Sequence, residues 1–322
     1  MAMSVRAKKF NVTTISPNFP GVSRVFKELQ KLGLSTHIEI TGNEFKLPPE
    51  TDILILGAWI PEYVQILEQV DFDNIGILWT STIAQSEMSG IEISYINQIY
   101  DLLENGHIEF VWFGDKSWLS MFDLDGAFYI PYPITLSEKI DVEKDKNTNN
   151  ISLFCPSHPR KNIINQLIAV KKAQEKNFIT LNTNNLTPEY EKFARKLELN
   201  CNSFQWLEQE EYLNKVASMD LGLQVSHVGV ESFNYVVIDH MCQNIPTVMS
   251  RSIYENYYSV VGESWLEKYM CVENPCDTDE IAEKITDCLE NEKIGQVCRK
   301  YVEQLAVINY DVMTDMFRRI FK

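Results

Sequence analysis

Short apolar runs alternate with longer stretches of helical period along the whole chain, the pattern of parallel strands covered by helices on both faces. In the first half this predicts strands over residues 10–15, 53–56, 75–79, 110–113 and 128–130. Between the first two, Val22, Val25, Phe26 and Leu29 recur at i, i+3, i+4 and i+7, one face of a helix, and Gly33 supplies its stop. Strand, helix and strand make a βαβ unit. Residues 141–150, Asp-Val-Glu-Lys-Asp-Lys-Asn-Thr-Asn-Asn, offer almost nothing to a core and read as a linker, with a fresh strand from Ile151. The second half then predicts strands over 151–155, 178–181, 204–206, 221–225, 246–249 and 270–272, again separated by helices. The expected class is α/β, with two doubly wound sheets.

At the C-terminal end Tyr301, Leu305, Ile308, Val312, Met316 and Ile320 fall three or four residues apart, an apolar helix stripe that needs a surface. Arg318, Arg319 and Lys322 would suit a membrane surface, but Glu303, Asp311 and Asp315 favour packing onto the protein. The expected division is an N-terminal domain over 1–145, a second over 146–300, and a terminal helix over 301–322 that packs back toward the first. Phe204, Trp206 and Tyr212 read as core aromatics.

Composition narrows the function. A chain of 322 residues has room for two cores. Its net charge of −16 repels phosphate backbones over most of the surface, which argues against a nucleic-acid partner. A small phosphorylated ligand is still compatible if a few cations and helix N-termini gather at one place. Seven singly scattered cysteines without a C-x-x-C pair suggest neither a disulfide framework nor a zinc site. With no signal-peptide core and no long apolar run, the expectation is a reduced, cytoplasmic protein without a transmembrane segment. Asn11-Val-Thr matches a glycosylation acceptor only formally.

The most informative stretch runs from Val225 to Ser250. A buried strand ends near Val225, a loop with Gly229 follows, and a helix is expected from close to Ser232 to about Asn244. Ligands of open α/β sheets bind at this carboxyl edge. The amides of Ser232, Phe233 and Asn234 would face out of the helix start, where the dipole favours a diphosphate. Glu231 precedes that start, and Asp239 would lie ~12 Å further along the axis and ~80° around it. Two carboxylates flanking a phosphate-binding turn can accept hydrogen bonds from the hydroxyls of a hexose and a ribose.

This stretch, Glu231-Ser-Phe-Asn-Tyr-Val-Val-Ile-Asp239 with the trailing Pro246-Thr-Val-Met-Ser250, resembles the E-x7-E element of the family 4 retaining GT-B glycosyltransferases. Asn234 stands where that family usually has glycine, and Asp239 where it has a second glutamate. A second matching element is Phe154-Cys-Pro-Ser-His-Pro-Arg-Lys-Asn162: Lys161 matches the lysine of the family's basic pair, and Pro156 holds the place of its arginine, leaving Arg160 as the substitute. In the first domain only Gly21-Val22 of Pro17-Asn-Phe-Pro-Gly-Val-Ser-Arg24 matches the family's glycine-rich turn, where a glycine would let main chain approach the donor phosphate.

The resemblance implies the GT-B fold, with two Rossmann-like domains facing each other across a cleft. It also implies transfer from a nucleoside-diphosphate sugar to a glycan, protein or lipid acceptor held mostly by the first domain, with retention of configuration. Lys161 and Arg160 would stabilise the leaving diphosphate, Glu231 would orient the sugar and Asp239 the ribose, with Gly21, Ser232, Phe233 and Asn234 also contacting the donor. No metal and no other cofactor is implied. His227 and His240 are read as structural. Asp71-Phe-Asp73 and Asp123-Leu-Asp125 spell D-x-D, a short pattern that arises readily among 45 acids and is not read as a metal site. Two rivals remain: a GT-B module that binds without turnover, raised by Pro156 and Asn234, and a nucleotide or small-molecule receptor without transfer chemistry.

Overall fold

The computed structural model describes residues 11–40, 46–69, 74–81, 90–119, 125–144, 147–227, 231, 233–257, 260–262 and 265–320. The chain divides into two compact units, one formed by Met1–Thr135 with Asn309–Lys322 and the other by Leu136–Ile308.

The first unit contains β1 (Val12–Pro17), α1 (Pro20–Lys31), β2 (Thr36–Ile40), β3 (Ile53–Gly57), α2 (Glu62–Gln69), β4 (Ile75–Trp79), α3 (Gly90–Glu104), β5 (Phe110–Phe113), α4 (Lys116–Leu119) and β6 (Ala127–Tyr129). Its strands form one parallel sheet in the order β2-β1-β3-β4-β5-β6. Every residue of β3, β4 and β5 is buried, as expected of central strands covered on both faces. Gly33 closes α1 in the left-handed region at φ 69°, its N–H donating to the Gln30 carbonyl at 2.9 Å. The chain then enters β2 before reaching β3, so the helix does not lead straight from β1 to β3.

The second unit contains β7 (Asn149–Leu153), α5 (Ile163–Ala173), β8 (Ile179–Asn184), α6 (Pro188–Lys196), β9 (Cys201–Phe204), α7 (Gln209–Ala217), β10 (Leu221–Gln224), α8 (Tyr235–Cys242), β11 (Thr247–Ser250), α9 (Arg251–Tyr257), α10 (Glu267–Met270), β12 (Cys271–Val272), α11 (Thr278–Glu290) and the start of α12 (Glu292–Ile320). Its sheet is also parallel, in the order β12-β11-β10-β7-β8-β9. Strands added after β7 run outward to one side and those from β10 onward to the other, so the order reverses between β7 and β10. Such a reversal opens a crevice at the carboxyl ends of the two strands, because their outgoing loops turn to opposite faces.

Two boundaries differ from the sequence reading. β7 begins at Asn149, inside the segment read as linker, because Asn149 and Asn150 pair with Ile179 and Thr180 of β8. The chain passes between units at Thr135–Leu136, earlier than the polar run. The residues after that crossing are tied to the second unit: the Gln243 side chain accepts from the Ile140 N–H at 2.8 Å and donates to the Glu138 carbonyl at 2.8 Å, and Arg299 donates to the Ser137 carbonyl at 3.0 Å. The last turns of α12 group with the first unit: Asn309 donates to the Tyr132 carbonyl at 3.0 Å, and Phe317 meets the Trp112 ring edge-on at 5.9 Å.

Candidate functional site

The loops leaving β7 and β10 flank the crevice of the second sheet. The first turns through a 3-10 segment, Pro159–Lys161, whose start is capped by His158: the Arg160 N–H donates to His158 Nδ1 at 3.2 Å. Burial first, then the charges of Arg160 and Lys161, lowers the His158 pKa, in keeping with a neutral ring that accepts. Asn162 sits at φ 54°, a left-handed position that asparagine tolerates, and turns the chain into α5. Gln166 ties this loop to its neighbour, donating to the Lys161 carbonyl at 2.6 Å and accepting from the Val225 N–H at 2.9 Å.

Lys161 is 5% exposed and its ammonium forms an ion pair with Glu231 Oε1. Ser226 donates to the other carboxylate oxygen at 2.6 Å, and Ser252 donates to the Glu231 carbonyl at 2.8 Å. A buried lysine requires such a partner. Two residues 70 positions apart, singled out from sequence for one chemistry, thus meet at the sheet's switch point. Arg160 lies in the same turn, and its carbonyl accepts from the His227 N–H at 3.1 Å.

Beyond Glu231 the structure departs from expectation. Helix α8 starts at Tyr235, not near Ser232, because Asn234 is its N-cap: the backbone is extended there, at φ −141°, and Oδ1 accepts from the Val236 N–H at 2.9 Å. The rest of Asn234 is also engaged. Its side chain donates to Gln224 Oε1 at 2.7 Å, its N–H donates to the Tyr257 hydroxyl at 2.6 Å, and that hydroxyl donates to its carbonyl at 2.7 Å. Phe233 stacks on the Tyr257 ring at 5.1 Å. Ser232 lies outside the described residues. Since Glu231 is on a loop and not on the helix, the helical projection to Asp239 does not apply; Asp239 sits in the second turn of α8 and is 2% exposed.

His240 on α8 is fully buried, with Nδ1 2.6 Å from the Val236 carbonyl and Nε2 2.6 Å from Ser152 Oγ. A carbonyl can only accept, so Nδ1 carries the proton and Nε2 accepts from the serine. Burial lowers its pKa, so the ring is held neutral as a cross-brace between α8 and β7. Gly222 makes room for it: a Cβ there would lie 2.7 Å from Thr247 Oγ1 and 2.8 Å from the His240 ring.

The remaining candidates fall elsewhere. Gly21 is the second residue of α1 in the first unit, where an added Cβ would meet nothing within 4 Å. Asp71–Asp73 lies outside the described residues, as does Asp123 of the other D-x-D. Among the described residues no three His, Cys, Asp or Glu side chains are grouped to hold a metal ion. Phe204 and Tyr212 pack against Phe154 at 5.4 and 6.0 Å, whereas Trp206 is 62% exposed and not part of a core. Ser226, Ser252, Gln224 and Tyr257, which hold the loop, were not singled out from sequence. Serines and a tyrosine at irregular spacings give no local signal.

No family model and no curated protein matches the chain. Solved structures do. A glycosyltransferase from Rickettsia africae superimposes with a TM-score of 0.67 at 13% identity, over 98% of this chain and 100% of that one. HepE from Anabaena, solved with UDP and glucose, gives 0.67 at 13% identity over 95% and 99%. A UDP-forming trehalose-phosphate synthase from Burkholderia xenovorans gives 0.64 at 10% identity over 97% and 98%. With two parallel six-stranded sheets and their flanking helices matched along nearly the full length of such enzymes, the chain has the GT-B glycosyltransferase fold.

Proposed function

We propose that the chain is a retaining glycosyltransferase that moves a sugar from a nucleoside-diphosphate sugar to an acceptor hydroxyl without a metal ion. The observation that carries this reading is the Lys161–Glu231 pair at the switch point between β7 and β10. It puts a cation and a hydroxyl-binding carboxylate side by side where open α/β sheets take their ligands. Further support comes from the shared fold, since one similar structure was solved with UDP and another belongs to a UDP-forming enzyme.

Breaking the bond between sugar and phosphate leaves negative charge on the diphosphate. An ammonium has three N–H donors and Glu231 takes one, so Lys161 can also meet phosphate oxygens, while Arg160 adds a second cation from the same turn. Glu231, its two oxygens fixed by Lys161 and Ser226, has lone pairs left to orient the sugar hydroxyls. In this reading Phe233 borders the sugar and Asp239 takes the ribose. A departing phosphate oxygen takes the acceptor proton on the face where it leaves, which preserves configuration and needs no side-chain base.

The test is a thermal-shift panel of UDP, GDP, ADP and their sugars, followed by donor hydrolysis. A ligand at about 100 times its Kd adds ~2.7 kcal/mol. One nucleotide should raise Tm, and Glu231→Ala should abolish hydrolysis; no response to any nucleoside diphosphate would refute the proposal. A binding module without turnover is the second reading, favoured by Pro156 in place of a basic residue, and it predicts the shift without hydrolysis.

A further inference from the structure

Helix α9 follows β11 directly and reaches back to the loop that precedes α8. Its second residue, Ser252, donates to the Glu231 carbonyl at 2.8 Å. Its last residue, Tyr257, is fully buried; its hydroxyl accepts from the Asn234 N–H at 2.6 Å and donates to the Asn234 carbonyl at 2.7 Å.

We infer that Ser252 and Tyr257 are positioning residues for the donor sugar: α9 holds the main chain at Glu231 and at Asn234, and so fixes the place of the Glu231 carboxylate that meets the sugar. This rests on the donor-site reading above. All three bonds go to main-chain atoms, so they hold the backbone at Glu231 and Asn234 whatever the neighbouring side chains do. Tyr257 also fixes where the Asn234 N–H points: it is directed at the phenol, and only a shift of α9 releases it. Phe233 is held in the same way by stacking on the Tyr257 ring. The diphosphate cations come from the β7 loop, which Gln166 ties to the chain leaving β10; α9 takes no part in that tie, so loss of its bonds bears on the sugar side first.

The separation is measurable. Titration calorimetry on the full chain with UDP and UDP-glucose, and with the GDP and ADP pairs, gives the ratio of sugar-nucleotide to nucleotide affinity. Tyr257→Phe keeps the ring and its stacking but removes both hydrogen bonds, and should lower that ratio about tenfold or more while nucleotide affinity changes less than about threefold. Ser252→Ala should lower it in the same direction by about threefold, with Ser252→Thr restoring it. Both substitutions should raise the KM of donor hydrolysis more than they lower the Kd-matched response to nucleotide alone. If Tyr257→Phe does not fold, the serine variants decide. An unchanged ratio in variants that still bind nucleotide overturns the inference while leaving the donor site standing; failure of the wild type to bind any nucleoside diphosphate removes both.

Discussion

The Lys161–Glu231 pair lends itself to a double-mutant cycle. Lys161→Met keeps the side-chain volume and leaves a carboxylate that retains Ser226 as its side-chain partner among the described residues in a largely buried place, the lysine and glutamate side chains being 6% and 15% exposed. Breaking a buried pair costs about 3–5 kcal/mol, and the partial exposure of the carboxylate puts this variant near the lower end. Glu231→Gln leaves an amide oxygen as an acceptor for the ammonium, so about 2 kcal/mol is expected. The double variant removes both charges and should cost less than the two singles together, with a coupling of about 2–3 kcal/mol. Urea denaturation gives each value, and Tm should drop by roughly 6–12 °C for the methionine variant, at 2–4 °C per kcal/mol in a unit of this size. Single effects that add to within about 0.5 kcal/mol would show that the residues do not interact.

Three further outcomes are expected. Gly222→Ala drives a methyl against a His240 ring fixed by two hydrogen bonds, and should cost about 1–3 kcal/mol by denaturant unfolding, whereas Gly21→Ala should leave stability nearly unchanged. Burial lowers the His240 pKa below 6.5, so the unfolded chain binds the extra proton first; stability should fall as pH drops from 6.5 toward the native value, and this part of the pH dependence should vanish in His240→Gln, although His37 and His158 are lowered likewise and add slope of the same sign. Burial pushes the Cys155 and Cys271 thiols up to about 12, so a thiol reagent at pH 8 should label exposed Cys276 first, read by peptide mass.

Strands buried on both faces were plain in the sequence: 75–79 and 110–113 match β4 and β5 residue for residue. Polar strands were not. β2, Thr-His-Ile-Glu-Ile, was missed, and β9 was placed too late because its Cys-Asn-Ser-Phe is half exposed at a sheet edge. Hydropathy ends β8 at 181, although Asn182, Thr183 and Asn184 are all buried; it reads such residues as loop, whereas Asn182 and Thr183 are held inside by side-chain hydrogen bonds to the Thr180 and Asn202 carbonyls. At the candidate site, the family resemblance assigned Lys161 and Glu231 to one donor site, while nothing local in the sequence signals the ion pair between them. Ser232 and Asn234 are near-equal cap residues, so the sequence does not distinguish a helix opening at Ser232 from the observed one capped by Asn234.

The composition of the first unit bears on the order of events at the ribosome. Residues 309–322 complete it, through Asn309 on Tyr132 and Phe317 on Trp112, yet they are the last of this sequence to be synthesised. At about 5–20 residues per second they emerge many seconds after Thr135. The six strands of the first unit are therefore made well before the helix that covers Trp112, and a nascent chain stalled before Asn309 would expose an apolar seam to chaperones.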